Sequence, residues 1–287
     1  MKPTETLKIG GVPEHFNLPW HQAISQGDFE GQGIQIEWKE YPGGTGEMTR
    51  DLRNGSLDLA VLLTEGIVAD IVKGNPSKII SLYVESPLIW GIHVPAHSGL
   101  QNIEDIQGKR YAISRMGSGS HLMAFVDTSQ RGWPLTEEQL VIVGNLQGAR
   151  EAFRNNEAEV FMWERFMTQP FVDNGEFRRV GECPTPWPCF VIAARNEVIA
   201  TRKEALQKVL QTIYQANGEF MQNKSAPGMV SERFGIKPDD ATAWFAHTKW
   251  ASNSQLSPKI LTEVVDTLYR LHLIDRQAKP EEVYIQV

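Results

Sequence analysis

The sequence lacks two features that would each define a class of protein, long apolar runs and clusters of basic residues. No apolar stretch approaches the roughly 20 residues that a membrane-spanning helix needs. Lysine and arginine total 28 residues against 35 aspartates and glutamates, so the formal net charge is −7. Binding to nucleic acid relies on clustered basic residues that neutralise phosphates. We therefore expect neither membrane insertion nor a nucleic-acid partner.

Cysteine is also scarce, with Cys183 and Cys189 alone in the sequence. A zinc site needs about four closely spaced ligands, and neither a C-x-x-C motif nor a nearby histidine pair is present. We therefore predict no metal site. The two cysteines are close enough in sequence for a short-loop disulfide, but we favour two free thiols.

Motifs for nucleotides and for secretion are missing as well. Gly117-Ser118-Gly119 lacks the third glycine of G-x-G-x-x-G, and the chain has no Gly-Lys-Ser/Thr, so we expect no cofactor. Residues 1–8 contain no apolar h-region, which predicts no signal peptide. The expected location is cytoplasmic, or periplasmic if a leader has been removed.

The sequence does contain an internal repeat. Residues 52–61 resemble residues 153–162, so that Arg53 and Arg154 occupy equivalent positions 101 residues apart. In both copies a helical segment is followed by an Arg-Asn-Gly or Arg-Asn-Asn turn, because Gly and Asn tolerate a left-handed backbone at a helix end. An acidic residue and an apolar, strand-like segment come next.

Each copy is predicted to be strand–helix–strand–helix–strand. The first two strands are expected near residues 7–9 and 34–38 in one copy, and near residues 109–113 and 140–143 in the other. Such alternation indicates a parallel sheet with helices on both faces. The helices after Thr201 have apolar residues at helical spacing, and we expect them to pack on the first unit.

The predicted fold class is α/β, with two Rossmann-like lobes joined by two hinge crossings. The strand-like segments Ser81–His93 and Cys189–Ala194 are expected to carry the chain from one lobe to the other and back. Lobe one would then comprise residues 1–88 and 194–287, and lobe two residues 89–193. Because ligands bind beyond the carboxyl ends of strands in open α/β sheets, the cleft between the lobes is the candidate site.

Two loops rich in glycine and hydroxyl groups are the first candidates for this cleft. They are Gly44-Thr45-Gly46 in lobe one and Ser118-Gly119-Ser120 in lobe two, the latter preceded by Ser114. Each leads into a helix, whose N-terminus offers free N–H groups and a partial positive charge to an anion. The alternative is that both loops are ordinary turns with Ser or Thr caps.

Aromatic and imidazole side chains are further candidates. Trp20 and Trp187 would stack on a flat or apolar ligand, although Trp20 is equally expected in the core. His15 and His121 would meet across a closed cleft, or His121 would simply be a residue of the first helical turn.

Two glutamates, Glu65 and Glu164, follow the third strand of each lobe. Together they would hold an amine or move a proton, or else they would be solvated or capping charges. Asn17, from the same loop as His15, is a further candidate ligand-binding residue. No catalytic set of residues is predicted.

Several stretches, taken in order, resemble a known family. They are Gly27-Asp28-Phe29 with residues 34–38, residues 55–60, residues 107–112 with residues 117–121, and Ala152-Phe153-Arg154 with residues 161–164. This order and spacing is similar to that of type 2 periplasmic binding proteins. The particular group is the nitrate-, taurine- and alkanesulfonate-binding and NMT1/THI5-like substrate-binding proteins of ABC transporters.

The resemblance implies a hinged, two-lobed receptor that closes on a small organic solute and presents it to an ABC transporter permease. It assigns ligand contacts to residues 15–20, 44–47, 64–66, 114–121 and 163–164, which adds Thr64 and Trp163 to the candidate ligand-binding residues. Relatives often carry Asp where this chain has Glu164, and the cysteine-rich segment of the pyrimidine synthases is absent.

Three functions remain open from the sequence. The first is a solute-binding protein for an anionic or zwitterionic ligand such as a sulfonate, carboxylate, betaine or pyrimidine. The second is a cytosolic enzyme on the same fold, of the menaquinone-pathway or pyrimidine-synthase type, that uses His/Glu acid–base chemistry. The third is a ligand-responsive regulatory module.

Overall fold

The computed structural model describes residues 5–287. The strands in this range are β1 (Glu5–Gly11), β2 (Ile34–Glu40), β3 (Leu59–Leu63), β4 (Ser77–Val84), β5 (Ile89–Pro95), β6 (Tyr111–Ile113), β7 (Leu140–Ile142), β8 (Val160–Glu164), β9 (Phe177–Pro184) and β10 (Phe190–Arg195). The helices are α1 (Leu18–Gln26), α2 (Asp28–Gly31), α3 (Thr45–Asn54), α4 (Thr64–Val72), α5 (Gly119–Gln130), α6 (Leu146–Arg154), α7 (Gln169–Asp173), α8 (Asn196–Thr201), α9 (Lys203–Gln222), α10 (Ala226–Phe234), α11 (Pro238–His247), α12 (Pro258–Arg270) and α13 (Pro280–Val283).

The strands form two five-stranded sheets of the same design. The first has the order β2-β1-β3-β10-β4 and the second the order β7-β6-β8-β5-β9. We refer to each sheet with its helices as lobe one and lobe two. The predicted architecture of two α/β lobes is confirmed.

The three strands of each copy of the repeat are parallel, as predicted, but a further antiparallel strand makes each sheet mixed. In lobe one β1 runs parallel to β2 and β3, whereas β10 is antiparallel to β3 and β4. In lobe two β6 is parallel to β7 and β8, and β5 is antiparallel to β8 and β9. The antiparallel strand of each sheet is the one by which the chain enters from the other lobe, and entry from that side reverses its direction.

The crossings are shorter than predicted. Ser81–His93 is not one strand but parts of β4 and β5, which belong to different sheets and are joined by residues 85–88. The return crossing is residues 185–189, and Cys189–Ala194 is mostly β10. The two crossings lie side by side, since Leu88 N donates to Thr185 Oγ1 at 3.0 Å and Thr185 N donates to the Leu88 carbonyl at 2.9 Å.

The repeat is visible as two equivalent helix ends. Helix α3 ends at Gly55, which has a left-handed φ of 82°. In the second copy Asn156 adopts the left-handed conformation with φ 56°. The predicted turns are therefore confirmed, and each delivers the chain into the central parallel strand of its sheet.

One hydrophobic core cluster extends through both lobes and a smaller second cluster lies in lobe two, while most of the helices after β10 complete lobe one. Helix α9 packs against α1, and α12 packs against α4, as predicted for the C-terminal helices. Cys183 and Cys189 are free and buried. Among residues 5–287 no helix is long and apolar enough to cross a membrane, and no group of three or more His, Cys, Asp or Glu side chains is arranged to hold a metal.

Candidate functional site

A cavity of about 350 Å³ separates the two lobes. Its walls come from the segments that follow or end β1, β2 and β3 in lobe one and β6, β7 and β8 in lobe two, together with residues next to the crossings. The lining residues are Val12, Pro13, Glu14, Pro42, Gly43, Gly44, Thr45, Leu63, Leu88, Trp90, Ser114, Ser118, Gly119, Ser120, Asn145, Leu146, Gln147, Arg150, Trp163, Glu164, Met167, Phe171 and Phe190. The cavity thus lies at the carboxyl ends of the parallel strands of both sheets, where open α/β sheets bind ligands.

Half of the predicted site residues line this cavity. They are Gly44, Thr45, Ser114, Ser118, Gly119, Ser120, Trp163 and Glu164. These residues come from both copies of the repeat, and the structure brings them together from sequence positions more than 100 residues apart. That they contact a ligand stays a prediction.

Three helix N-termini open onto the cavity, those of α3, α5 and α6. Ser118 caps α5 by accepting a hydrogen bond from His121 N at 3.3 Å. Asn145 caps α6 by accepting one from Gly148 N at 3.0 Å. The first N–H groups of a helix have no carbonyl group four residues earlier within the helix to bond, so these three helix ends favour an anionic group.

Hydroxyl groups at the α5 end are held by one another. Ser120 Oγ accepts a hydrogen bond from Ser114 N at 3.0 Å and lies 3.1 Å from Ser118 Oγ. On the other lobe, Thr45 Oγ1 accepts from Leu63 N at 3.2 Å. These contacts fix the hydroxyls before a ligand arrives, which lowers the entropy lost on binding.

The rest of the wall is largely apolar and aromatic. Trp90, Trp163 and Phe190 line it, and the Trp163 ring stacks on Phe161 with centroids 5.3 Å apart. Arg150 also lines the cavity, but its guanidinium donates to both carboxylate oxygens of Glu176, at 2.7 and 2.9 Å. A cavity of this composition suits an organic ligand with a few polar groups.

Two carboxyl groups face the cavity from opposite lobes. Glu14 follows β1, and Glu164 ends β8 and is 3% exposed. Burial raises the pKa of Glu14 to about 7. Burial, helped by the charge of Glu14, raises the pKa of Glu164 to about 8, although the Met167 N–H bonded to its Oε2 at 2.7 Å opposes the shift.

His15 lies behind this carboxyl pair rather than in the cavity wall. Its ring is fully buried, stacks on Phe16 and meets Trp244 edge-on. Its Nε2 lies 3.8 Å from Glu164 Oε2. Burial lowers the pKa of His15 to about 3, so the ring is neutral.

Glu65, Thr64 and Trp187 lie beside the crossings, outside the cavity wall. Trp187 Nε1 donates to Glu65 Oε2 at 2.9 Å, and the Thr64 hydroxyl donates to the Pro188 carbonyl at 2.6 Å. Burial raises the pKa of Glu65 to about 7. The prediction that Trp187 lines the cleft was wrong, because its indole N–H is used to tie the return crossing to α4.

Trp20, Asn17, Gly46 and His121 are also absent from the wall. Trp20 belongs to the core, where it stacks on Phe29 with centroids 5.5 Å apart. Asn17 donates to the Val12 carbonyl at 2.8 Å.

Gly46 lies beside the Arg115 side chain at the rim between the lobes. His121 Nδ1 accepts from Gly117 N at 3.1 Å and its ring packs on Phe125. His15 and His121 therefore do not meet across the cleft.

Sequence reasoning missed several wall residues, among them Glu14, Trp90 and Arg150. Asn145 had a usable signal, since it is a strong N-cap residue at the equivalent position to Gly44 in the repeat. Glu14 is adjacent to His15 in the sequence, but nothing in the local pattern distinguishes which of the two faces the cavity.

Comparison with known proteins supports the fold. A family model described as Ca3427-like PBP matches residues 90–183. No curated protein matches the sequence. The solved structure of the Candida albicans CA3427 gene product, described as defining a new family with the generic periplasmic binding protein fold, is 25% identical and has a TM-score of 0.91. That likeness covers 98% of this chain and 96% of the other.

Two structures described as ligand-binding proteins share the same architecture. The alkanesulfonate-binding protein SsuA from Xanthomonas axonopodis pv. citri, bound to MOPS, is 19% identical with a TM-score of 0.82 and full coverage of both chains, 100% and 100%. The periplasmic nitrate-binding protein NrtA from Synechocystis PCC 6803 is 13% identical with a TM-score of 0.75, covering 99% of this chain and 87% of that one. Taken with the paired sheets and the cavity between them, these likenesses identify the chain as having the type 2 periplasmic binding protein fold.

Proposed function

We propose that the protein is a solute-binding protein whose two lobes close on a small organic ligand with an anionic group. The observation that carries the proposal is the cavity between the lobes, onto which the N-termini of α3, α5 and α6 open. Partial positive charge and free N–H groups converge there from both lobes, so an anion binds best when the lobes are together.

Contacts across the cleft support closure around the cavity. Gly119 of lobe two lies against Leu63 of lobe one, and the Arg115 side chain reaches Gly46. Further out, Lys237 Nζ, which precedes α11, lies 2.7 Å from Asp173 Oδ2 of α7. The adjacent crossings supply a hinge for this motion.

The relatives suggest the class of ligand and partner. SsuA and NrtA are described as binding aliphatic sulfonates and nitrate. The aromatic walls favour an organic anion over nitrate in this chain, and sulfonates, carboxylates, betaines and pyrimidines fit the cavity volume. The partner that we propose is an ABC transporter permease. For the cellular location we keep the prediction from the sequence, which is cytoplasmic, or periplasmic if a leader has been removed.

Thermal unfolding in the presence of candidate ligands tests the proposal. A cognate ligand raises the melting temperature because it binds only the folded state. Ser118→Ala removes a hydroxyl at the α5 N-terminus and is expected to reduce that rise, whereas Ser129→Ala, on the exposed end of the same helix, leaves it unchanged. A screen of sulfonates, carboxylates, amino acids, betaines and pyrimidines without any shift counts against the proposal.

An acid–base enzyme is the second candidate, and one observation favours it. Glu164 has a pKa raised to about 8 beside a neutral, buried His15, which is a pairing able to move a proton. Turnover of a bound compound that disappears in His15→Ala would support this function. Saturable binding with unchanged compound recovered after long incubation would contradict it.

A further inference from the structure

We propose that the Glu14/Glu164 pair forms a second subsite of the cavity, one that takes a positively charged or N–H-donating nitrogen of the ligand. The inference rests on the proposed function, and it names the solute class as zwitterionic. The anionic group would bind at the helix N-termini, and an amine, amidine or protonated heterocycle would bind between the two carboxyls.

The separation of the two carboxyl groups depends on how far the two lobes close. Glu14 belongs to lobe one and Glu164 to lobe two, and both line the cavity. Closure without a ligand therefore brings two acidic groups together in a poorly solvated place. A bound cation between them would remove this cost, so it would bind preferentially to the closed form.

Within residues 5–287 the pair lacks a cationic partner in contact, although the Met167 N–H bonds Glu164 Oε2 and the charge of Arg179 acts on Glu164 from a distance. Among residues 5–287, no lysine or arginine forms an ion pair with Glu14 or Glu164. Arg150, which lines the cavity, is held by Glu176, and Arg179 donates to Gln169 Oε1 at 2.7 Å. Glu164 is buried and Glu14 is partly buried, and buried charges are normally paired, so two carboxyls without an ion-pair partner point to an external one.

His15 is the independent sign of a missing ligand. Its side chain is fully buried, and neither ring nitrogen has a hydrogen-bond partner. Its Nε2 is directed at the Glu164 carboxyl, 3.8 Å away. A buried polar group without a partner is costly, and a ligand N–H group held between the two carboxyls would bring a donor to this cluster.

Trp163 and Trp90 add a surface that suits the same group. Both indoles line the cavity, and Trp163 directly precedes Glu164 in β8. The face of a tryptophan ring attracts cations, and more strongly away from water. A carboxyl pair beside indole rings is a suitable environment for an organic ammonium or amidinium.

The protonation of the pair gives the inference a pH signature. The ionisable groups around it are His15 from the loop after β1, Arg179 from β9, and Glu65 and Cys189 beside the crossings. With the pKa of Glu14 raised to about 7 and that of Glu164 to about 8, a cation must displace a proton at neutral pH. Affinity for a nitrogen-bearing ligand should therefore rise from about pH 6 to about pH 9.

Three matched probes separate the two subsites: taurine carries both charges, ethanesulfonate carries the anion alone, and ethylammonium chloride the cation alone. We expect taurine to raise the melting temperature of the wild type most. Glu164→Gln and Glu14→Gln should each weaken taurine binding by at least about tenfold and leave ethanesulfonate binding unchanged. Glu138→Gln, an exposed substitution in lobe two, is the control.

Equal binding of taurine and ethanesulfonate by the wild type would overturn the inference and leave the proposed function intact. If none of the three probes binds, the proposed function fails for this solute class. The inference is then tested by the stability of the ligand-free protein. In urea unfolding at about pH 9, Glu164→Gln should be more stable than the wild type, because it removes an unpaired buried charge. A variant less stable than the wild type at both about pH 6 and about pH 9 would indicate a structural carboxyl and overturn the inference.

Discussion

Glu65 and Glu164 both lie near the end of the third strand of their lobe, but they are not equivalent in the repeat, whose 101-residue offset matches Glu164 with Leu63. Glu65 accepts the indole N–H of Trp187 beside the return crossing, and Glu164 faces the cavity. Burial raises the pKa of both. Relative to the ends of the corresponding strands, the two glutamates thus differ in position by two residues, and this places Glu65 beside the crossings and Glu164 in the candidate site.

For Glu65 we predict a pH-dependent contribution to stability. Its pKa in the folded protein is raised from 4.5 to about 7, so its stabilising contribution is fully present below about pH 4.5 and is lost as the pH rises through about 7. Glu65→Gln keeps an acceptor for Trp187 but cannot ionise. Urea unfolding at about pH 5 and about pH 8.5 should therefore show a smaller loss of stability in this variant than in the wild type.

The matching control is Glu65→Ala, which leaves the Trp187 indole N–H without a partner. It should cost about 1–3 kcal/mol at about pH 5 and less at about pH 8.5, where the wild type has lost the contribution of the neutral carboxyl. An identical pH dependence of the wild type and Glu65→Gln would contradict the assignment of the raised pKa to this carboxyl.

Trp20 is a sequence-predicted ligand contact that the structure places in the core, and two substitutions distinguish these roles. Trp20→Ala should lower the free energy of unfolding by about 3–5 kcal/mol because the ring is fully buried against Phe29 and Trp38. Trp20→Phe should cost less and leave the affinity for any ligand unchanged, as measured by titration calorimetry. A selective loss of affinity in Trp20→Phe would show that this residue contributes to ligand binding.

At the residue scale, the sequence indicates which residue types form the site better than it indicates which side chains point into the cavity. The hydroxyl and glycine loops at Gly44 and Ser118 were predictable because capping chemistry is local. Whether Glu14 or its neighbour His15 reaches the cavity depends on how the loop after β1 packs on Trp244, 230 residues away in the sequence. Local patterns carry no information about such a contact.

At the scale of the elements, the N-terminus of α5 in lobe two lies against lobe one. A side-chain Cβ added at Gly119 would come 2.9 Å from the Trp90 ring and closer still to Leu63 Cδ1. Leu63 belongs to lobe one and Gly119 to lobe two. The absence of a side chain at Gly119 therefore allows the two lobes to meet at this point.

We predict that Gly119→Ala opposes closure. The added methyl group should weaken ligand binding by about tenfold and increase the radius of gyration of the liganded protein in small-angle scattering. Gly218→Ala is the matched control, since it is also helical and no atom lies within 4 Å of its added Cβ. It should raise stability by up to about 1 kcal/mol without changing affinity. Equal affinities for the two variants would rule out a steric role for Gly119.

The order of elements within each copy of the repeat was predictable, and the central antiparallel strand of each sheet was not. Hydrophobic periodicity and the turns after Arg53 and Arg154 identify the local strand–helix alternation. The pairing of β10 between β3 and β4 joins segments more than 100 residues apart. Since a strand-like segment has the same pattern in either direction, its orientation follows only from the path of the whole chain.

At the scale of the whole molecule, an ion pair joins the two lobes at the rim of the cleft. Lys237 of lobe one and Asp173 of lobe two lie 2.7 Å apart, with the lysine 66% exposed. Exposed pairs contribute about 0–1 kcal/mol, so this one adjusts closure rather than determining it.

We predict that Asp173→Asn shifts the lobes towards the open form by no more than about fivefold. Fluorescence energy transfer between dyes on the two lobes measures the shift, and added salt should reduce the difference from the wild type because it screens the pair. Glu204→Gln, which breaks the exposed Lys208–Glu204 pair within α9, should have no effect on closure. An effect of Asp173→Asn that persists in high salt would mean that the pair acts by packing.

The position of β10 has a consequence for how the protein is made. All five strands of lobe two lie within residues 89–184, whereas the sheet of lobe one needs β10, residues 190–195, to fill the gap between β3 and β4. On the ribosome, the second lobe can therefore mature first, while the earlier-synthesised β3 and β4 wait with unpaired edges. The edges of β3 and β4 stay unpaired until residue 195 has emerged from the exit tunnel. The nascent chain therefore needs chaperone protection most up to that point.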